Sequence, residues 1–354
     1  MVNEKKVNNG NKESKKRLPW WAIVLIVVGG LLLLVGIFLL GVRGYFRLSV
    51  SDYYKHSEAT FYIPGTNDGF IAQGIADDTV GNNFFVTGYM KNGSASPMYI
   101  VDKESGKLKK TVFAQMEDGS DFTGHCGGIE VYGDYVYIAG SSDCCLYVCR
   151  YADVMGAVDG GKVKFAGKVD LKVSKDDKIR VSFVTKTNLG LIAGEFYRAG
   201  NYDTLESHWY TTAAGDKNKA MAVFLKFSET GEFGLEAAPS AALSLPDQVQ
   251  GICSDGESFY LSTSYGPAFS YIYRYDITES KTDEKVTLLG KELPLYVLDS
   301  ASQKSAKKIA PMSEEIIVVN GKLYTMCESA SDKYIFGKFT SSDHCYATDI
   351  DFFK

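Results

Sequence analysis

The sequence is poor in the signatures that announce a particular chemistry. It has no G-x-S-x-G elbow, no H-E-x-x-H pair, no Walker loop and no EF-hand loop, so the usual serine-hydrolase, zinc-protease, nucleotide-binding and calcium-loop readings have nothing to stand on. Its seven cysteines include no matched C-x-x-C pairs, which argues against a structural zinc site. Helical periodicity is almost missing beyond residue 43, which removes the α-rich classes. Basic charge is missing where most of the chain lies. Residues 1–47 hold eight Lys and Arg against Glu4 and Glu13, a net of +6, so with −5 overall the remainder sits near −11. Such a remainder argues against nucleic acid and against broad docking on anionic lipid.

What is present begins with "WWAIVLIVVGGLLLLVGIFLLGV", an unbroken apolar run over residues 20–42. At ~1.5 Å per residue it spans a hydrocarbon layer of roughly 30 Å. Trp20 and Trp21 suit one interface, Arg43 and Tyr45 the other. A cleaved signal peptide would have a shorter apolar core and a small-x-small site. The expected organisation is a basic cytoplasmic tail over 1–18, a transmembrane signal anchor over 19–43, a linker with a lead-in strand over 44–66 and a domain over 67–354. Six basic residues precede the run and only Arg43 and Arg47 closely follow it. That bias places the N-terminus in the cytoplasm and the large domain outside, in a single-pass cell-membrane arrangement.

The cysteines would then face an oxidising compartment. "DCCLYVC" carries Cys144, Cys145 and Cys149 together, and at least one disulfide is expected, with Cys144 and Cys145 in an exposed hairpin connection. The alternative is that the cysteines act as small buried hydrophobes with free thiols. Asn92 opens an N-G-S sequon.

Short β-branched and aromatic runs punctuated by Gly, Asp, Asn and Ser fill the rest, a composition that favours sheet. They repeat. "VQGICSDGESFYLSTSYG" (249–266) aligns with "QGIADDTVGNNFFVTGYM" from Gln73, "GGIEVYGDYVYIAGSS" from Gly127, "SFVTKTNLGLIAGEF" from Ser182 and "EEIIVVNGKLYTMCES" from Glu314. Each has an aliphatic residue two places on (Ile75, Ile129, Val184, Ile252, Ile316), then a turn, then a second apolar strand. Third strands are expected at "PMYIVD", "CLYVCRY", "AVFLKF", "YIYRYD" and "KYIFGKF", and fourth strands at "KLKKTVF", "KVKFAGKVDL", "KVTLLGKELPL" and "CYATDIDFF". A four-stranded sheet cannot bury both faces alone, and radial stacking does this for it. The expected fold is all-β, a five-bladed β-propeller after one N-terminal transmembrane helix, or six-bladed if residues 59–66 supply part of another sheet. A β-sandwich with chance turn similarities is the competing fold.

"FYIPGTNDGFIAQGI", "GHCGGIEVYGDYVYIAG", the 249–266 segment and "MSEEIIVVNGKLYTMCESASDKY" together resemble bacterial membrane-anchored or secreted propeller-like proteins, over most of residues 57–353. The resemblance implies a propeller held at the cell surface and brings no reaction with it. In architecture alone the chain is also similar to five-bladed sugar-cleaving enzymes and nucleotidases.

In a propeller the start of the innermost strand and the end of the next share a face. Polar residues sit at these positions: Gln73, Ser182, Gln250 and Glu314 lead, with His125, Arg180 and Gln248 two places earlier, and Tyr89, Ser141, Glu195, Ser264 and Glu328 end the second strand. They are expected to line one polar funnel on the axis, with His208, Trp209 and Tyr210 of the long loop 197–219 covering it or stacking on a ligand. That loop could equally be a surface loop with its own apolar plug. Glu195, Glu314 and Glu328 are the catalytic candidates, as an acid and base for glycosidic cleavage. The same carboxylates could bind calcium or only satisfy one another and the backbone around the channel. A register error of one would exchange Glu314 with Glu315. No metal site or other cofactor is expected. The readings converge on an extracytoplasmic binding or interaction module, partnered by the membrane and by an unknown ligand or envelope protein. The alternative is a glycan- or nucleotide-directed hydrolase or lyase.

Overall fold

A computed structural model describes residues 17–340 and 342–354, so nearly all of the expected tail over 1–18 lies outside the described residues. The chain divides into two units, Met1–Tyr45 and Phe46–Lys354. The first holds most of a 30-residue helix, Trp20–Ser49, the one helix among the described residues long and apolar enough to cross a membrane. No proline interrupts it, and it runs through Gly44 to Ser49. A short helix, Ser51–Lys55, follows and buries Tyr53 and Tyr54.

The second unit is a five-bladed β-propeller. The innermost strands are Phe70–Asp78, Ile129–Tyr132, Val181–Thr187, Val249–Ser254 and Ser313–Val319. Each packs against the next, and the last returns to the first, closing a ring. Ile75, Ile129, Val184, Ile252 and Ile316 hold equivalent places in it and are all fully buried. The hairpin turns after these strands use left-handed residues where expected, including Asn82, Gly133, Gly256 and Asn320.

Several outer strands differ from the reading of the sequence. Residues 59–66 do not begin a sixth blade. Ser57–Tyr62 pairs with His344–Asp349 and forms the outer edge of blade 5, so that N-terminal and C-terminal segments close the ring together. "CYATDIDFF" therefore supplies the third strand of that blade, and "KYIFGKF" is a loop with a 3-10 turn at Gly337–Thr340. Its Ile335 and Phe336 point into solvent, so an apolar run had imitated a strand. "KVKFAGKVDL" splits. Gly161–Lys164 adds to blade 1 in parallel, and Gly167–Asp170 completes blade 2. "KVTLLGKELPL" bends back at Leu289 and Gly290, both at positive φ, into a hairpin that extends blade 3 rather than blade 4. Leu293, Leu295 and Val297 are buried there among side chains of blade 3. The outer strand of blade 4 is Gln303–Ile309, whose polar and charged residues carry no apolar run to read.

All seven cysteines are free and buried, so the expected disulfide does not form. Cys144 turns the chain at positive φ and Cys145 opens the third strand of blade 2, neither of them exposed, while Cys149 lies within that strand as expected. Burial pushes every thiol upward, Cys145, Cys149 and Cys327 to about 12. They behave as the small hydrophobes of the alternative reading. Asn92 is exposed in the turn after Asn83–Met90.

Candidate functional site

A cavity of about 550 Å³ opens at one end of the ring of inner strands, and all five blades contribute to it. Gln73 and Tyr89 come from blade 1, Ser141 from blade 2, Arg180 and Ser182 from the start of blade 3, Gln250 and Ser264 from blade 4, and Glu314 and Glu328 from blade 5. His125 enters from the segment before blade 2. The local cause is a recurrent β-bulge. The pairing of the first two strands slips across Gln73, Ser182 and Gln250, and across Glu314 and Glu315. A bulge adds an unpaired residue and re-aims its side chain, and in these four blades it includes a residue that lines the cavity, while the pairing of blade 2 runs without one.

Glu315 takes up backbone groups of innermost strands, each of which ends its sheet and leaves one edge without a partner strand. Its Oε2 accepts from the N–H groups of Ile75 (2.8 Å) and Ile129 (3.0 Å), and its Oε1 from that of Val184 (3.2 Å). One carboxylate thus joins blades 1, 2 and 3 to blade 5. The inner strands close in because glycines sit beside it. A Cβ on Gly128 would lie 2.6 Å from Glu315 Oε1, and one on Gly251 2.6 Å from its Cα. Burial pushes the Glu315 carboxyl well up, and the three N–H groups oppose this.

Glu314, the next residue back, is 2% exposed, and its Oε1 is sealed from solvent with no hydrogen-bond partner. Burial raises its pKa well above the carboxylate range, with Glu328 and then Glu315 adding to the effect. Glu328 is raised as well, by burial, against the pull of three neighbours. Tyr334 Oη donates to its Oε2 at 2.8 Å, Gln73 Nε2 donates at 3.2 Å, and Lys333 supplies positive charge. The two carboxylates lie close enough for the charge of Glu328 to disfavour ionisation of Glu314. His125 stacks on Tyr89 with centroids 3.9 Å apart, and partial burial and then Lys333 lower its pKa.

Two expected residues lie elsewhere. Glu195 is buried away from the cavity, where it accepts from the N–H groups of Arg180 (3.2 Å) and Met221 (3.3 Å) and pairs with His208 Nδ1 at 2.8 Å. It ties the long loop to blade 3, a structural task that its place at a strand end did not reveal. Gln248 lines a different groove between blades 3 and 4. Its φ of +65° breaks the two-residue alternation on which its placement rested. In the long loop His208 is buried and Trp209 packs under Lys219, while Phe196 and Tyr202 reach the cavity instead. Tyr202, Tyr265, Lys333 and Tyr334 were missed. All follow the second strand of blades 3, 4 and 5, the connection that opens on this face, so aromatic and basic residues there were the available signal. Among the described residues no three His, Cys, Asp or Glu side chains gather into a metal-holding group.

No family model matches the chain, and no curated protein matches it. Solved structures similar to it include a Myxococcus xanthus glutaminyl cyclase, with 12% identity, 76% of this chain and 90% of that one covered and a TM-score of 0.39. The PQQ-bound aldose sugar dehydrogenase of Streptomyces coelicolor gives 14% identity, 82% and 95% coverage and a TM-score of 0.41. A chain of a nidogen/laminin complex gives 10%, 76% and 75%, and 0.38.

Proposed function

We propose that this protein is a membrane-anchored β-propeller that captures a polar ligand in its axial funnel, with residues 1–18 cytoplasmic and the propeller outside the membrane. One observation carries the reading. Glu314 holds a buried, unpartnered carboxylate oxygen in a cavity that gathers polar side chains from all five blades. Leaving such a group unpaired costs about 1–3 kcal/mol, which a ligand group hydrogen-bonding to it would recover. The Tyr89–His125 stack and the rings of Tyr202 and Tyr265 line the same cavity, Tyr89 with Lys333 over one face and Tyr265 with Arg198 over one face. The fitting ligand is rich in donors, neutral or cationic, and has one flat or apolar face.

The test is calorimetric titration of the full chain in nanodiscs against panels of sugars, nucleosides and polyamines. At least one class should bind, and Glu314→Gln and Glu328→Gln should each weaken it about tenfold or more. Absence of binding across the panels, or binding indifferent to both variants, overturns the reading.

The carboxylate pair also supports a catalytic reading. A buried acid held protonated beside a second carboxylate is how acid and base roles are divided in glycoside hydrolysis. A turnover screen on glycans and nucleotides, with and without calcium, separates the two. Turnover lost in Glu328→Gln favours the enzyme. Binding without turnover favours the capture module.

A further inference from the structure

We propose a second ligand site, in the groove between blades 3 and 4, that takes a neutral oligosaccharide chain. The groove encloses about 490 Å³. One wall is a ladder of tyrosines. Tyr271, Tyr273 and Tyr275 occupy alternate positions of the strand Ser270–Asp276, so they share one face of the sheet. Their ring centroids step by 5.9 and 6.5 Å, with planes inclined by 31° and 38°. Exposure falls from 37% at Tyr271 to 3% at Tyr275, so the ladder leads from the surface into the groove.

The rest of the lining is rich in acceptors, supplied by Asp247, Gln248, Asp299 and Gln303. Hydrogen bonds fix this lining. Asp216 accepts from the N–H of Ser300 at 2.7 Å, and Asn218 Nδ2 donates to Ser244 Oγ (3.1 Å) and to the carbonyl of Leu298 (2.9 Å). A sugar ring has a C–H face that stacks on an aromatic ring and hydroxyl edges that donate to carboxylates and amides. The groove offers both kinds of partner along its length. Asp216, Asp247 and Asp299 outweigh Lys217, so anionic chains are repelled. A proline-rich peptide could lie along the tyrosines, but proline has no N–H to give the acceptors.

The groove shares only Ser264 and Tyr265 with the funnel and contains neither Glu314 nor Glu328. Its ligand therefore does not depend on the funnel's. The full chain in nanodiscs is titrated with cellohexaose, maltohexaose, xylohexaose and chitohexaose, and with decaproline. At least one hexasaccharide should bind more tightly than its disaccharide. The Tyr271→Ala, Tyr273→Ala double variant should weaken it about tenfold or more, Tyr271→Phe should retain it, and Glu328→Gln should leave it unchanged. Failure of all four sugars to bind, or sugar binding that survives loss of both tyrosines, overturns the proposal. So does sugar binding lost only in Glu328→Gln, which would put the sugar in the funnel, or tyrosine-dependent binding of decaproline alone.

Discussion

Glu315 occupies a place that glycine fills in three of the other four repeats, at Gly74, Gly128 and Gly251. The fourth carries Phe183, which packs outward between blades 3 and 4, and Gly128 and Gly251 leave the room that the Glu315 side chain occupies. Removing it strands three buried N–H groups at about 1–3 kcal/mol each. Glu315→Ala should therefore lower the unfolding free energy by roughly 3 kcal/mol or more, and Glu315→Gln, which keeps one acceptor oxygen, by less. Denaturant titration measures both. Glu314 behaves differently because it has no such donors. Its folded-state pKa lies well above the ordinary value of about 4.5, so its contribution to stability is full below that pH and is lost as pH rises through the folded pKa. The melting temperature of the wild type should fall with rising pH above about 4.5 more steeply than that of Glu314→Gln. Parallel pH profiles would show that Glu314 titrates normally. Glu195→Gln belongs with structure rather than function. It should lower stability by about 1–3 kcal/mol through its three partners and leave funnel binding intact.

At the scale of elements, the N-terminal helix bears on attachment and the loop over residues 328–340 on the funnel. Trp20–Ser49 has the length and composition of an anchor, and the basic residues ahead of it predict its direction. External protease on intact cells should digest the region after Gly44 and spare an N-terminal tag. Cleavage of the tag with protection of the propeller would reverse the orientation. The 328–340 loop brings Lys333 and Tyr334 to Glu328 and the funnel while exposing Ile335 and Phe336. Residues 333–339 within it read as a strand, because Tyr334, Ile335, Phe336 and Phe339 outnumber the single glycine. In the folded chain no strand edge is left for it, since His344–Asp349 already pairs with Lys322–Cys327.

For the whole molecule, stability depends on closing the ring. The outer strand of blade 5 comes from residues 57–62, more than 250 positions before the blade's innermost strand at 313–319, and it pairs with the last strand of the chain. Ile252→Asp should unfold the entire propeller cooperatively, since the five inner strands close one ring and a buried unpaired charge offsets far more than the ~1.5–3 kcal/mol of an aliphatic side chain. Deleting residues 57–62 should have the same consequence, since it removes the outer strand of blade 5 and the buried Phe61. A single cooperative transition lost in both variants, followed by circular dichroism, checks this. Retention of a native-like transition in the deletion would show that four-stranded closure is dispensable.

The sequence by itself determined whatever depends on neighbours along the chain. The apolar run, the five hairpin anchors with their aliphatic ring from Ile75 to Ile316, and the shared face that gathers Gln73, His125, Arg180, Gln250, Ser264, Glu314 and Glu328 follow from local periodicity and turn chemistry. Tertiary structure alone decided the rest. Which blade receives an outer strand depends on free sheet edges, so the 281–297 hairpin went to blade 3 and residues 57–62 to blade 5. Which carboxylate faces the cavity and which is taken up by the backbone depends on where buried N–H groups lie. Glu195 and Glu315 meet such groups and are satisfied by them, while Glu314 meets none and keeps an oxygen free. The N–H groups that bind Glu315 come from three other blades, and no pattern within one repeat can record them.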